Sequence, residues 1–156
     1  MNTKTLDLLF LEVDMSNSGK KSCAACDTVT EKLDSTLKVA QPILAEAGYE
    51  VRVNRILVST IEQANQLGFY ASPTLRLADA EVSPLHVPGS DARVWHWGGK
   101  EFSDPPVGML LDLLLRGVPK DVDTLKDREL REIPEYVKNY LLPDGRSSEA
   151  SCRSCG

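Results

Sequence analysis

Ser22-Cys23-Ala24-Ala25-Cys26-Asp27 is the stretch on which the fold turns. Two thiols stand three residues apart where an apolar run has just ended and a helical pattern begins. At a helix start that spacing lets two sulfurs approach closely enough to form a disulfide or hold one metal ion. Unpaired backbone N–H groups there favour the thiolate, and Lys20 and Lys21 add positive charge. Cys23, nearer the helix cap, is the expected nucleophile. Cys26, one turn in beside Asp27, is the expected resolving thiol. Glu12 and Asp14, late in the preceding run, are candidates for moving its proton.

Upstream, Thr5 to Val13 is nearly continuous in apolar character, as in a strand covered on both faces; Asp14 to Lys21 is a loop. Downstream, Val29, Leu33, Leu37, Ala40, Leu44 and Ala47 recur at three- and four-residue steps, predicting a helix over 26–47 that Pro42 kinks or divides and Gly48 ends. Tyr49 to Ser59 reads as a second strand. Thr60 caps a short helix through Leu67, with Ile61, Ala64 and Leu67 on one face and Gly68 as its stop. Thr74 to Leu77 is a third strand entered through Pro73, and 79–90 is a long loop. Asp91 to Trp97 alternates as a fourth strand, and Gly98-Gly99 turns into Glu101-Phe102. Ser103-Asp104-Pro105-Pro106 starts a helix with Val107, Leu110, Leu111, Leu114 and Leu115 as its apolar face.

The order β-α-β-α-β-β-α predicts an α/β domain over 1–118. Charged helical segments over 119–141 form an added arm, which packs on the domain or contacts a partner. The polar tail 142–156 carries a second Cys-x-x-Cys, Cys152 and Cys155. The 156 residues suffice for one real core, and 42% hydrophobic residues are ordinary for a globular chain. A net charge of −5 without a long basic run argues against nucleic acid as a partner. No secretory leader or membrane-spanning run is read, so the expected address is the cytoplasm, where paired cysteines serve catalysis or metal binding more often than stapling.

The strand–Cys-x-x-Cys–helix order, Ser72-Pro73-Thr74 before a strand and the β-β-α finish together resemble the thioredoxin superfamily. The resemblance implies a three-layer sandwich, a cis Pro73 beside the dithiol, and Ser72 and Pro73 as substrate-binding residues, the Ser72 main chain pairing with an extended substrate. The chain is more closely similar to a group of small thioredoxin-like proteins catalogued as domain of unknown function 2703. That likeness covers 6–118 and rests on Cys23/Cys26, Ser-Pro-Thr-Leu-Arg-Leu at 72–77, Arg93-Val94-Trp95, Gly99-Lys100-Glu101-Phe102 and Pro105-Pro106. Members of the group carry cysteines between the third and fourth strands; the loop 80–91 has none, and the Trp-Cys-Gly-Pro-Cys signature of thioredoxin is also missing.

Three readings follow. A redox dithiol exchanges disulfides with a protein or small-molecule substrate and is reset by a reductant, with no cofactor required. Alternatively, Cys23 and Cys26, alone or with Cys152 and Cys155, bind a soft metal or metalloid such as Zn, Cu(I), Hg or As(III). The third reading keeps the fold without the chemistry, as an interaction module. A tail thiol pair on a flexible tether would also be placed to exchange with the first pair. His86 and His96, the only histidines, are read as hydrogen-bonded or exposed side chains before ligands or bases. Trp95 and Trp97 share a face and are expected in the core or beneath the arm.

Overall fold

A computed structural model describes residues 2–16, 19, 24–90, 92–120 and 133–141. The chain separates into two units, Met1–Pro119 and Lys120–Gly156. In the first, β1 (Lys4–Val13) leads to α1 (Ala24–Glu46), β2 (Tyr49–Val58), α2 (Ile61–Leu67) and β3 (Thr74–Leu77). Then come β4 (Ala80–Val82), β5 (Leu85–His86), β6 (Arg93–Trp97), β7 (Lys100–Phe102) and α3 (Val107–Leu115). The second unit contributes one described helix, α4 (Glu135–Leu141), as its apolar spacing after Pro134 predicted. The proposed helix over 121–132 and the tail lie outside the described residues.

Mixed α/β architecture follows directly from this order. The main sheet runs β2-β1-β3-β4. β1 and β2 are parallel in an unbroken register from Lys4↔Tyr49 to Val13↔Val58. β3 is antiparallel to β1, with Phe10 opposite Leu75 and Leu8 opposite Leu77. These four side chains alternate onto one face and are buried. Val29, Leu33, Ala40 and Leu44 of α1, with Met109, Leu110, Leu113 and Leu114 of α3, join them in one core cluster. Gly117 lets the chain close beneath α3: a Cβ there would stand 2.7 Å from Leu77 Cδ2 and 2.9 Å from Leu6 Cδ2.

The opposite face is built differently. Arg76, between Leu75 and Leu77, points away from α1 and α3. Its guanidinium donates to the carbonyls of Leu67 and Gly68, at 2.7 Å for the latter, and pairs with Glu81. It thereby satisfies carbonyls that the end of α2 leaves open. α2 has the expected caps: Thr60 Oγ1 accepts from Gln63 N–H at 3.1 Å, and Gly68 adopts φ 61°. Its expected apolar face is not buried, and Ile61 is 79% exposed. Helix ends and an arginine tie, not apolar burial, hold α2.

Other expectations are corrected. α1 runs through Pro42 as one helix of 23 residues and is not divided there. The loop over 79–90 contains β4, which pairs with β3, and β5. The β3–β4 turn places Ala78 at φ 53°, a conformation usually signalled by Gly or Asn, so the hairpin carried no turn signature. The strand Arg93–Trp97 does not complete the main sheet but forms a three-stranded sheet, β5-β6-β7. The buried face of α3 is Met109, Leu110, Leu113 and Leu114; Val107, Leu111 and Leu115 are exposed.

Trp95 joins the small sheet to the main core and is 1% exposed. Trp97, two residues on, covers Gly108 of α3, where a Cβ would lie 2.5 Å from the indole ring. Gln41 of α1 accepts from Val51 N–H at 3.0 Å and donates to Tyr49 C=O at 3.3 Å, covering the start of the outer strand β2.

Candidate thiol site at the β1–α1 junction

β1 ends at Val13, paired with Val58 at the end of β2, and α1 begins the return at Ala24, so Cys26 falls at the carboxyl end of the parallel strands. Cys23, Cys152 and Cys155 lie outside the described residues; Cys26 is described and buried. A short network fixes the turn that carries it. Thr30 Oγ1 donates to Cys26 C=O at 2.8 Å, and Arg55 of β2 donates to that hydroxyl at 2.9 Å. Arg55 also pairs with Glu12 at 3.5 Å and stacks over Phe10 at 4.3 Å from the ring centroid. Glu12 is thus committed to tying β1, β2 and α1 together. Asp14 accepts from Ser16 N–H at 2.9 Å, and Ser16 hydrogen bonds hold its pKa below the ordinary carboxylate value. Both sequence candidates for moving the Cys26 proton therefore have other partners.

Ser72 meets Cys26. Its Oγ lies 3.6 Å from Cys26 Sγ, within the range of a sulfur hydrogen bond, and both residues are buried. The same Oγ accepts from Val13 N–H at 3.1 Å. A hydroxyl has one proton and two lone pairs, and Val13 occupies one lone pair. Ser72 therefore has its proton to give to a Cys26 thiolate, and a second lone pair to receive the proton of a Cys26 thiol. The contact serves both protonation states. The Ser72–Pro73 peptide is cis, as the resemblance implied. Pro73 itself is fully buried, and the neighbouring Thr74 Oγ1 donates to Ala71 C=O at 2.7 Å.

The Ser72 main chain, expected to pair with an extended substrate, has partners within the chain. Ser72 N–H donates to His86 Nε2 at 3.3 Å, and Arg93 Nε donates to Ser72 C=O at 2.7 Å. His86 is one of the two histidines in the sequence, and Arg93 belongs to no catalytic or ligand motif. A signal existed for Arg93: alternation puts it on the same strand face as buried Trp95. His96 falls on the opposite side of that strand and is exposed.

The His86 contact has an electrostatic consequence. Nε2 can accept only when the imidazole is neutral with its proton on Nδ1. His86 is exposed as a residue, with Nε2 engaged by Ser72 N–H. Burial, and then the nearby Arg93 charge, lower its pKa from the ordinary 6.5. A lowered pKa means that the fold prefers neutral His86. Its stabilising contribution is complete above pH 6.5 and is lost as pH falls from there through the folded-state value. In urea titrations the stability gap between the natural chain and His86→Ala is expected to be widest near about pH 8 and to narrow near about pH 5. A gap independent of pH would contradict the assignment of the acceptor.

A groove of about 260 Å3 lies elsewhere, between β4, Trp97 and α3. None of Cys26, Ser72, His86 or Arg93 lines it, and its carboxylates are paired, Glu81 with Arg76 and Asp112 with Arg116. Among the described residues, no three His, Cys, Asp or Glu side chains stand together as a metal-binding group, and no helix is long and apolar enough to cross a membrane.

A family model described as domain of unknown function (DUF2703) matches residues 9–113. Comparison with curated proteins and with solved structures gave no match.

Proposed function

For a chain that belongs to the DUF2703 family, we propose thiol–disulfide exchange by a Cys23/Cys26 dithiol on a thioredoxin-like fold. The sheet order β2-β1-β3-β4, with β3 antiparallel to its neighbours, and α1 and α3 together on one face support the fold reading. The observation that carries the chemistry is the buried Cys26–Ser72 contact at the start of α1. A buried cysteine that serves only packing needs no hydroxyl partner able to switch between donating and accepting.

The Cys23 thiolate attacks one sulfur of a substrate disulfide. A bond forms between Cys23 and that sulfur, the substrate S–S bond breaks, and the other substrate sulfur leaves as a thiolate. The Cys26 thiolate then attacks Cys23, closing the Cys23–Cys26 disulfide and releasing the second substrate thiol. Two electrons pass from the protein dithiol to the substrate, and the two thiol protons go to the released thiolates. The Ser72 hydroxyl accepts from the Cys26 thiol and donates to the sulfur once its proton has left for the released thiolate. A thiol reductant of the cytoplasm resets the pair. Ser72 and Pro73 shape the wall beside the dithiol, with Ser72 acting as a positioning residue for Cys26. Cys152 and Cys155 are candidate partners in that reset.

The test is a trapping experiment. A Cys26→Ser chain keeps the attacking thiol and loses the resolving one, so incubation with a disulfide is expected to give a stable one-to-one adduct on Cys23. The adduct is read by intact mass and peptide mapping, and is absent from Cys23→Ser. A Cys26→Ser chain that forms no adduct at Cys23 overturns the proposal. Protein purified without oxygen that carries stoichiometric soft metal, lost in Cys23→Ser, would favour thiolate metal binding instead.

A further inference from the structure

His86 and Arg93 stand directly opposite each other in the β5–β6 register. From that one position they supply Ser72 with an acceptor for its N–H, at 3.3 Å, and a donor for its C=O, at 2.7 Å. One acceptor and one donor aimed at the two main-chain groups of a single residue is what a neighbouring strand offers in antiparallel pairing. Here two side chains reproduce it. With Val13 N–H and Cys26 Sγ on its hydroxyl, every polar group of Ser72 is engaged. A substrate segment that added itself as a strand at Ser72 would first have to displace both side chains from the hydrogen bonds they already make there.

We infer that the β5–β6 hairpin is a built-in occupant of the Ser72 edge, and that the dithiol therefore takes low-molecular-mass disulfides in preference to extended polypeptide disulfides. A small disulfide R–S–S–R needs no main-chain pairing to bring its sulfur to Cys23. It leaves as two R–SH, the electrons coming from the Cys23/Cys26 dithiol, which a thiol reductant restores. His86 and Arg93 set the preference as positioning residues, through their hydrogen bonds to Ser72. The inference rests on the exchange reading of this site.

The experiment compares kcat/KM for bis(2-hydroxyethyl) disulfide with that for an unstructured peptide dimer joined by one disulfide, using the full chain. The natural chain is expected to favour the small substrate. In His86→Ala/Arg93→Ala the peptide-to-small ratio should rise at least about tenfold, the scale of releasing a hydrogen-bonded edge. His86→Gln/Arg93→Lys keeps an acceptor and a donor and should hold the ratio near that of the natural chain, which a general loosening of the fold would not do. Should the double alanine chain not fold, each single alanine variant should move the ratio in the same direction. An unchanged ratio in the alanine variants, an equal rise in the conservative pair, or a natural chain that favours the peptide overturns the inference while leaving exchange intact. No reduction of either substrate by the natural chain overturns the exchange reading, and this inference with it.

Discussion

A Cys23→Ser chain is expected to lose disulfide exchange by at least about a thousandfold, the scale on which removal of a nucleophile acts. The reason is chemical. A disulfide sulfur is attacked by a thiolate, and a serine hydroxyl is neither ionised at neutral pH nor a useful nucleophile toward sulfur. Cys26 does not substitute for it, because its buried sulfur sits against Ser72 with no exposed surface for a substrate. The paired Cys26→Ser change leaves the first step in place and removes the second, so the two variants separate attack from resolution. Steady-state reduction of a small disulfide, with a thiol reductant supplied, measures the loss. Retention of more than about one tenth of the rate in Cys23→Ser would mean that another thiol attacks. The same assay on Cys152→Ser/Cys155→Ser would identify the tail pair as that thiol.

Trp95→Ala is expected to be the most damaging single change to stability, at about 3–5 kcal/mol. Trp95 is 1% exposed and belongs to the one core cluster that also holds Phe10, Leu8 and the buried side of α3. It is the residue by which the small sheet enters that core. Its loss removes a large aromatic surface and leaves a cavity in that core. Against a typical total of about 5–15 kcal/mol, that is a large fraction. Thermal unfolding should shift down by roughly 10–20 °C for a unit of this size. Trp95→Phe should recover part of the loss. The change also reaches the site, because Arg93 lies two residues earlier on the same strand face and holds Ser72. A loss below about 1 kcal/mol would place Trp95 outside the core, since that is the scale of a surface change.

How much of this was legible beforehand depends on where local pattern and tertiary packing agree. β1, α1 and β2 were legible because a continuous apolar run, a three-and-four spacing and a glycine stop each have one structural solution. The Thr60 and Gly68 caps of α2 were legible for the same reason. β4 was not: its hairpin turns at Ala78 with positive φ, where no glycine or asparagine advertises the turn. The buried side of α3 was ambiguous because Val107, Met109, Leu110, Leu111 and Leu113 to Leu115 leave almost no polar face to orient it. The sheet and α1 select Met109, Leu110, Leu113 and Leu114.

The site divides in a similar way. Cys26 at the head of α1 was legible from its βα setting, and its approach to Ser72, 46 positions away, came only through a likeness to a known fold. Strand alternation placed Arg93 on the face of buried Trp95, but nothing local pointed Arg93 or His86 at Ser72. That convergence depends on the β5–β6 register and on where that hairpin sits against the loop before β3, neither of which is encoded in a short window of residues.

If Cys23 and Cys26 form a redox couple, a glutathione redox titration of the full chain will show it. Reduced and oxidised forms are separated by mass after thiol capping, and the bridge is mapped by peptide digestion. The expected result is a single Cys23–Cys26 disulfide that appears with two-electron behaviour, a tenfold change in the ratio of forms for each roughly 30 mV. Thiols that stay capped singly across the whole range, or a bridge that never includes Cys23 with Cys26, would contradict it.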